Sequence, residues 1–182
     1  ALSAFSAPVR LKVSAGPQAK GDLDAQSHVG YLRVQIEPIA GANTRPEVQF
    51  ENGLRLLGHS IEAVNQGQWR LRTLWQTERS IEGDQTFFVH LLAVNQVIGS
   101  KDGDSGDGFY PLRLWRPGDV IIDERLIDVP SQADRTQLLI ELGAYDRTAN
   151  QRVRVLETAQ PVIDQAVLLG GVTETGPGAV GP

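Results

Sequence analysis

The sequence predicts an all-β fold, an antiparallel β-sandwich of jelly-roll or immunoglobulin-like type with about nine strands and little helix. Three observations predict it. Apolar and polar residues alternate over short runs, as in VRLKV (9–13) and YLRVQI (31–36). Clusters of Gly, Asn, Asp and Pro separate these runs at intervals of roughly 8 to 15 residues, the spacing of turns in an all-β domain. No segment sustains a 3.6-residue apolar stripe, so helix is confined to short turns near 18–26 and 131–136. A parallel sheet would need a crossover helix after nearly every strand, and the intervals are too short to hold one.

The strands follow in order. Residues 8–13 place Val9, Leu11 and Val13 on one face, and residues 31–36 place Leu32, Val34 and Ile36 opposite Tyr31, Arg33 and Gln35. Further strands are expected at 54–61, 68–76, 86–95, 120–129, 137–145, 152–156 and 165–172. Between them stand Glu51-Asn52-Gly53, Asn65-Gln66-Gly67, Glu82-Gly83-Asp84, Pro117-Gly118-Asp119 and the stretch 146–150. Their residues tolerate positive φ or fix φ at turn values. The polar stretch 14–30 and residues 39–46 read as loop or linker, and the Gly/Pro-rich end from Thr173 reads as a flexible tail. The organisation expected is an N-terminal arm with one or two strands (1–46), a sandwich domain (47–172) and a tail (173–182).

Length and composition bound the function. A chain of 182 residues suits one well-cored domain, and 41% apolar with 21% charged residues is ordinary for a globular protein. A net charge of −5 argues against nucleic acid, whose binding requires a basic face. No run reaches the roughly 18 apolar residues of a membrane helix, so membrane contact by this chain is not expected. There is no cysteine, which removes disulfides and thiolate chemistry. The start, ALSAFSAP, without methionine anywhere in the chain, suggests a processed terminus or an excised domain and hence an extracytoplasmic location.

The acidic loop KDGDSGDG (101–108) carries Asp102, Asp104 and Asp107, carboxylates interleaved with glycine as a calcium loop would have them. Arg113 stands where a calcium-binding EF-hand loop needs its glutamate, so an ordered turn is the preferred reading, and no other cofactor is expected. His28, His59 and His90 lack local metal-pair spacing, and His90 is expected to be a satisfied strand histidine. Asp119, Asp123, Glu124, Asp128 and Glu141 are the carboxylates available for a hydrolytic pair. Strand parity sends Asp119 and Asp123 towards solvent, and Glu124 and Asp128 break that parity, which suggests a bend or a strand end. Trp69 and Trp75, six residues apart in WRLRTLW, should share an inward face with Leu71 and Thr73. Tyr110 and Trp115 flank the acidic loop. With Trp69 and Arg113 they are the candidate ligand-binding residues, set against the reading that Tyr-Pro and Trp close the end of the sandwich. Arg70, Arg72, Arg113 and Arg116 could rim an anion site, although strand arginines are ordinarily cross-strand partners.

In order, VQFENGLRLLGHSI, WRLRTLWQ, DQTFFVHLLAVNQVIGSKDG, GFYPLRLWRPGDVIIDERLIDVP, LLIELGAYDRTANQRV and QAVLLGGV resemble a β-sandwich domain found at the C-terminus of large bacterial (Chloroflexi-type) membrane glycosyltransferases and in uncharacterised surface proteins. The resemblance covers residues 48–172, with FFVHLL, 102–115, PGDVIID and LGAYD its most specific pieces. Leu112 stands where that pattern has threonine, and the aspartates at 104 and 107 are additions to it. It implies no catalytic motif, and a likeness in fold to carbohydrate-binding modules. The expected function is therefore a non-enzymatic, extracytoplasmic module whose partner is a glycan or another protein. The alternative is an assembly subunit that exchanges its N-terminal strand.

Overall fold

The computed structural model describes residues 9–15, 32–38, 47–106 and 108–170, the first two stretches as backbone alone. The expected helical turn at 18–26, the linkers, His28, Asp107 and the tail lie outside the described residues. β1 (Val9–Ala15) and β2 (Leu32–Pro38) form an antiparallel hairpin that shares no ladder with the rest. Its register sets Leu11 opposite Ile36 and Val13 opposite Val34. Alternation therefore gathers the apolar positions of both strands on one face.

The remaining strands form two antiparallel sheets packed face to face. One holds β3 (Val48–Phe50), β4 (Leu54–Asn65), β5 (Gln68–Thr77), β8 (Val120–Asp128) and β11 (Val155–Thr158), ordered β11-β3-β4-β5-β8. The other holds β6 (Gln85–Ala93), β7 (Gln96–Ser100), β9 (Leu138–Asp146), β10 (Gln151–Arg152), β12 (Val162–Ile163) and β13 (Ala166–Leu169). Its order is β12-β13-β9-β6-β7, with β10 beside β9. The expected all-β sandwich is the observed fold, with more strands than the nine expected. The unforeseen β3, β7, β10 and β12 have two to five residues each, too few for alternation to show.

The core lies between the sheets. Phe50, Leu54, Leu56, Trp69, Leu71 and Trp75 meet Phe87, Val89, Leu91, Ile140, Leu142 and Val167. Each such side chain contributes about 1.5–3 kcal/mol by leaving water. Trp69 and Trp75 share the inward face of β5 with Leu71 and Thr73, as their spacing predicts. The Trp75 indole N–H donates to Thr73 Oγ1 at 2.8 Å, so the deepest indole keeps a partner. Rings at 4.6–6.0 Å connect Phe50, Trp75, Phe87 and Trp115 across the core.

Two elements depart from expectation for local reasons. The strand expected over 86–95 stops at Ala93, because Val94 and Asn95 take φ of 45° and 67° and make the two-residue turn into β7. The helical turn expected over 131–136 contracts to a 3-10 turn at Arg135–Gln137. Asp134 is extended there, and its carboxylate accepts from the Thr136 N–H at 3.1 Å as an N-cap.

On the outer face of β5, Arg70 and Arg72 behave as cross-strand partners. Arg70 pairs with Glu62 at 2.6 Å and Arg72 with Glu124 at 2.6 Å. The hydrogen bond from Arg70, helped by the charge of Arg72, holds the Glu62 carboxyl below its usual range.

Candidate functional site

The acidic loop begins where β7 ends and crosses from one sheet to the other, reaching β8 at Val120. It starts as a quasi-strand. Lys101 N–H donates to Val89 O at 2.8 Å and Gly103 N–H to Phe87 O at 3.0 Å, continuing the pairing of β6. It ends in a plug, with Leu112 and Trp115 buried beneath it and Tyr110 packed against Trp115 at 6.1 Å. Asp119, only 4% exposed, closes the Pro117-Gly118 turn by accepting the Arg116 N–H at 2.9 Å and the Tyr110 hydroxyl at 3.3 Å.

Beneath the loop lies a buried ion pair. Asp123 (3% exposed) and Arg125 (9%) point inward from β8, with Arg125 Nε donating to Asp123 Oδ2 at 2.7 Å. The two terminal nitrogens of Arg125 donate to Lys101 O at 2.5 Å and Gly103 O at 2.9 Å. Asp123 Oδ1 accepts the Gly106 N–H at 3.0 Å. The outward positions expected for Asp119 and Asp123 are thus corrected. On β8 the inward set is Asp123, Arg125 and Ile127, while Ile122, Glu124, Leu126 and Asp128 face solvent without a bend. An inward charge on an edge strand resists pairing with a foreign strand, and β8 is the edge of its sheet.

The described loop carboxylates, Asp102 and Asp104, are engaged with donors of the protein. Asp102 Oδ1 accepts the Val89 N–H at 3.1 Å, and Asp104 Oδ1 accepts from Arg147 at 3.1 Å. Burial alone would lower the Arg147 pKa. The hydrogen bonds that it donates to Asp84 and Asp104 outweigh burial and hold the guanidinium above its ordinary value. Among the described residues no group of three His, Cys, Asp or Glu is placed to hold a metal ion.

Two clefts flank the loop. One, of about 520 Å³, lies over the ion pair between Lys101, Glu124 and Arg147. The other, a groove of about 640 Å³, runs over the outer face of the second sheet and shares Asp102 with the first. Strand register builds it. β6 lies beside β9 so that Phe88 faces Gly143, His90 faces Glu141 and Thr86 faces Tyr145, while β10 sets Arg152 opposite Tyr145. Glycine at 143 is required, because a Cβ there would stand 2.4 Å from Phe88 Cζ. The ring therefore lies flat across β9 and is only 2% exposed. Arg152 covers it at 4.4 Å from the ring centre.

A charged line crosses this floor. His90 Nδ1 lies 2.7 Å from Glu141 Oε2, and its Nε2 lies 3.5 Å from Asp102 Oδ1. Arg152 donates to Glu141 Oε1 at 2.9 Å and to Asp164 O at 2.9 Å. The rim holds Asn150, Gln151, Asp164 and Gln165. Three of them have positive φ (Asn150 50°, Asp164 45°, Gln165 60°), backbone that glycine would adopt with less strain. Gln165 gains a local return, since its Oε1 accepts the Val155 N–H at 3.0 Å. Replacing Gly143 with alanine is expected to cost about 1–3 kcal/mol in chemical denaturation and to lift the Phe88 ring from the groove floor. An unchanged denaturation midpoint would show that the close packing is not required.

The structure scatters the residues singled out from sequence. Trp69 and Trp115 are buried at 2% and 1% exposure and present no face to solvent, Tyr110 is half-buried, and Arg113 is exposed on the 3-10 turn Leu112–Leu114. Trp115 closes the sandwich end, as the Tyr-Pro and Trp pattern suggests. His90 has the carboxylate partners expected of a satisfied histidine, and His59 has Glu47 at 2.6 Å. Sequence reasoning missed Phe88, Arg152, Asp164 and Gln165. The available signal was the FFVH run, whose successive apolar residues mark a strand covered on both faces.

No helix among the described residues is long and apolar enough to cross a membrane. Fold and groove together define a β-sandwich with a polar, ligand-sized groove on one sheet face. The chain matches no protein-family model, no curated protein and no solved structure.

Proposed function

We propose that this protein is a non-catalytic carbohydrate-binding module working outside the cytoplasm, with its saccharide site in the groove above Phe88. The observation that carries this reading is the groove's composition. Guanidinium, amide and carboxylate groups of Arg152, Asn150, Gln151, Gln165 and Asp164 surround a volume of about 640 Å³ beside Tyr145. A pyranose presents a ring of hydroxyls, each a donor and an acceptor, and planar polar side chains match adjacent hydroxyl pairs. The volume falls within the range of small-molecule sites. The cysteine-free chain is compatible with an oxidising exterior. A role beside a membrane glycosyltransferase rests on the sequence resemblance alone.

The test is a glycan array, followed by calorimetric titration of any hit against Arg152→Ala. A charge-assisted hydrogen bond contributes about 1.5–3 kcal/mol, so the variant should bind roughly ten-fold or more weaker while still folding. No hit on the array, or a hit whose affinity ignores Arg152, would end the assignment to this groove. The assembly reading draws less support. β1 already pairs with β2 of its own chain, so a donated strand would first have to leave that ladder.

A further inference from the structure

We infer that the groove takes an amino sugar, a pyranose carrying a free, protonated amine, in preference to neutral or acidic saccharides; this rests on the carbohydrate reading above. The preference follows from the state of each charged group around the floor. Arg152 is the one guanidinium lining the groove, and it is already held by Glu141 Oε1 at 2.9 Å and by Asp164 Oδ2 at 3.4 Å. These contacts use one of its terminal nitrogens, and its charge is thereby already matched by carboxylate. His90 stands between Glu141 and Asp102, so it too already faces negative charge.

Three carboxylates thus surround one guanidinium and one imidazole. Two of them remain open to solvent, since the side chain of Asp164 is 80% exposed and that of Asp102 is 38% exposed. Each carboxylate has about four lone-pair sites, and the contact with Arg152 leaves the Asp164 carboxylate able to accept from a ligand ammonium. A uronate entering the same space would meet like charge, which costs affinity and rejects the wrong partner. The chain's net charge of −5 adds to that bias at long range.

The experiment compares three saccharides of equal length by calorimetry at low salt: β-1,4-linked glucosamine, its N-acetylated counterpart and oligogalacturonate. The expected order is glucosamine first, with an advantage over the N-acetyl form of about ten-fold that shrinks as salt screens it. Asp164→Asn should move that ratio towards one. Glu62→Gln, the same loss of charge on the other sheet, should leave it unchanged. Galacturonate binding as tightly as glucosamine overturns this inference and leaves the carbohydrate reading intact. If none of the three binds, the inference fails; array hits confined to neutral glycans would still support the module, whereas an empty array ends both.

Discussion

Arg125→Met is expected to destabilise the domain by about 3–5 kcal/mol, the usual result of leaving one partner of a buried ion pair unmatched. The substitution keeps most of the side-chain volume but strands the Asp123 carboxylate at 3% exposure. It also removes both hydrogen bonds to the loop carbonyls of Lys101 and Gly103. For a domain of this size each kcal/mol moves Tm by about 2–4 °C, so the melt should fall by roughly 6 to 20 °C. Removing both charges, as Asp123→Leu with Arg125→Met, should recover part of the loss, because no unpaired charge then remains inside. A single-variant loss under about 1 kcal/mol would mean that the pair behaves as a solvated surface bridge.

Trp115→Ala is expected to cost about 3–5 kcal/mol, the range for deleting a large aromatic from a core. Its indole is 1% exposed, lies 6.0 Å from Phe87 and 6.1 Å from Tyr110, and donates to Tyr110 O at 3.2 Å. Deleting it opens the end of the sandwich and unseats the plug of the crossing loop. Denaturant titration distinguishes this core role from a ligand platform. A core residue shifts the midpoint strongly. A variant that melts like the parent and loses only saccharide binding would restore Trp115 to the ligand surface.

What the sequence revealed follows from the range of each signal. Alternation in the YLRVQI and WRLRTLW runs reports which face a residue takes, so the sandwich and the inward Trp69 and Trp75 were legible. Alternation says nothing about which strand lies next door. The groove depends on that neighbour, since Phe88 meets Gly143 and His90 meets Glu141 through pairings across more than fifty residues of chain. Parity also misled on β8. The apolar Ile122 and Leu126 face solvent, while the charged Asp123, expected outward, and Arg125 turn inward. A buried pair reads as surface until its partner carbonyls are known. The aspartates of the acidic loop were conspicuous as a possible metal set, and what their spacing could not show is that the Val89 N–H occupies Asp102 and Arg147 occupies Asp104.

The crossing loop leaves the two long margins of the sandwich unequal. On its own side, the loop pairs its backbone with β6 and is tied to β8 by the hydrogen bonds that Arg125 donates to Lys101 O and Gly103 O and that Asp123 accepts from the Gly106 N–H. On the far side the sheets end in β11 and β12, strands of four and two residues. Local opening begins where the fewest bonds must break at once, so this domain unzips from the margin carrying Asp164 and Gln165. A ligand spanning Arg152 and Asp164 would then act as a clasp on the looser margin, and its binding energy would appear as slower opening there before it appeared as any change of shape.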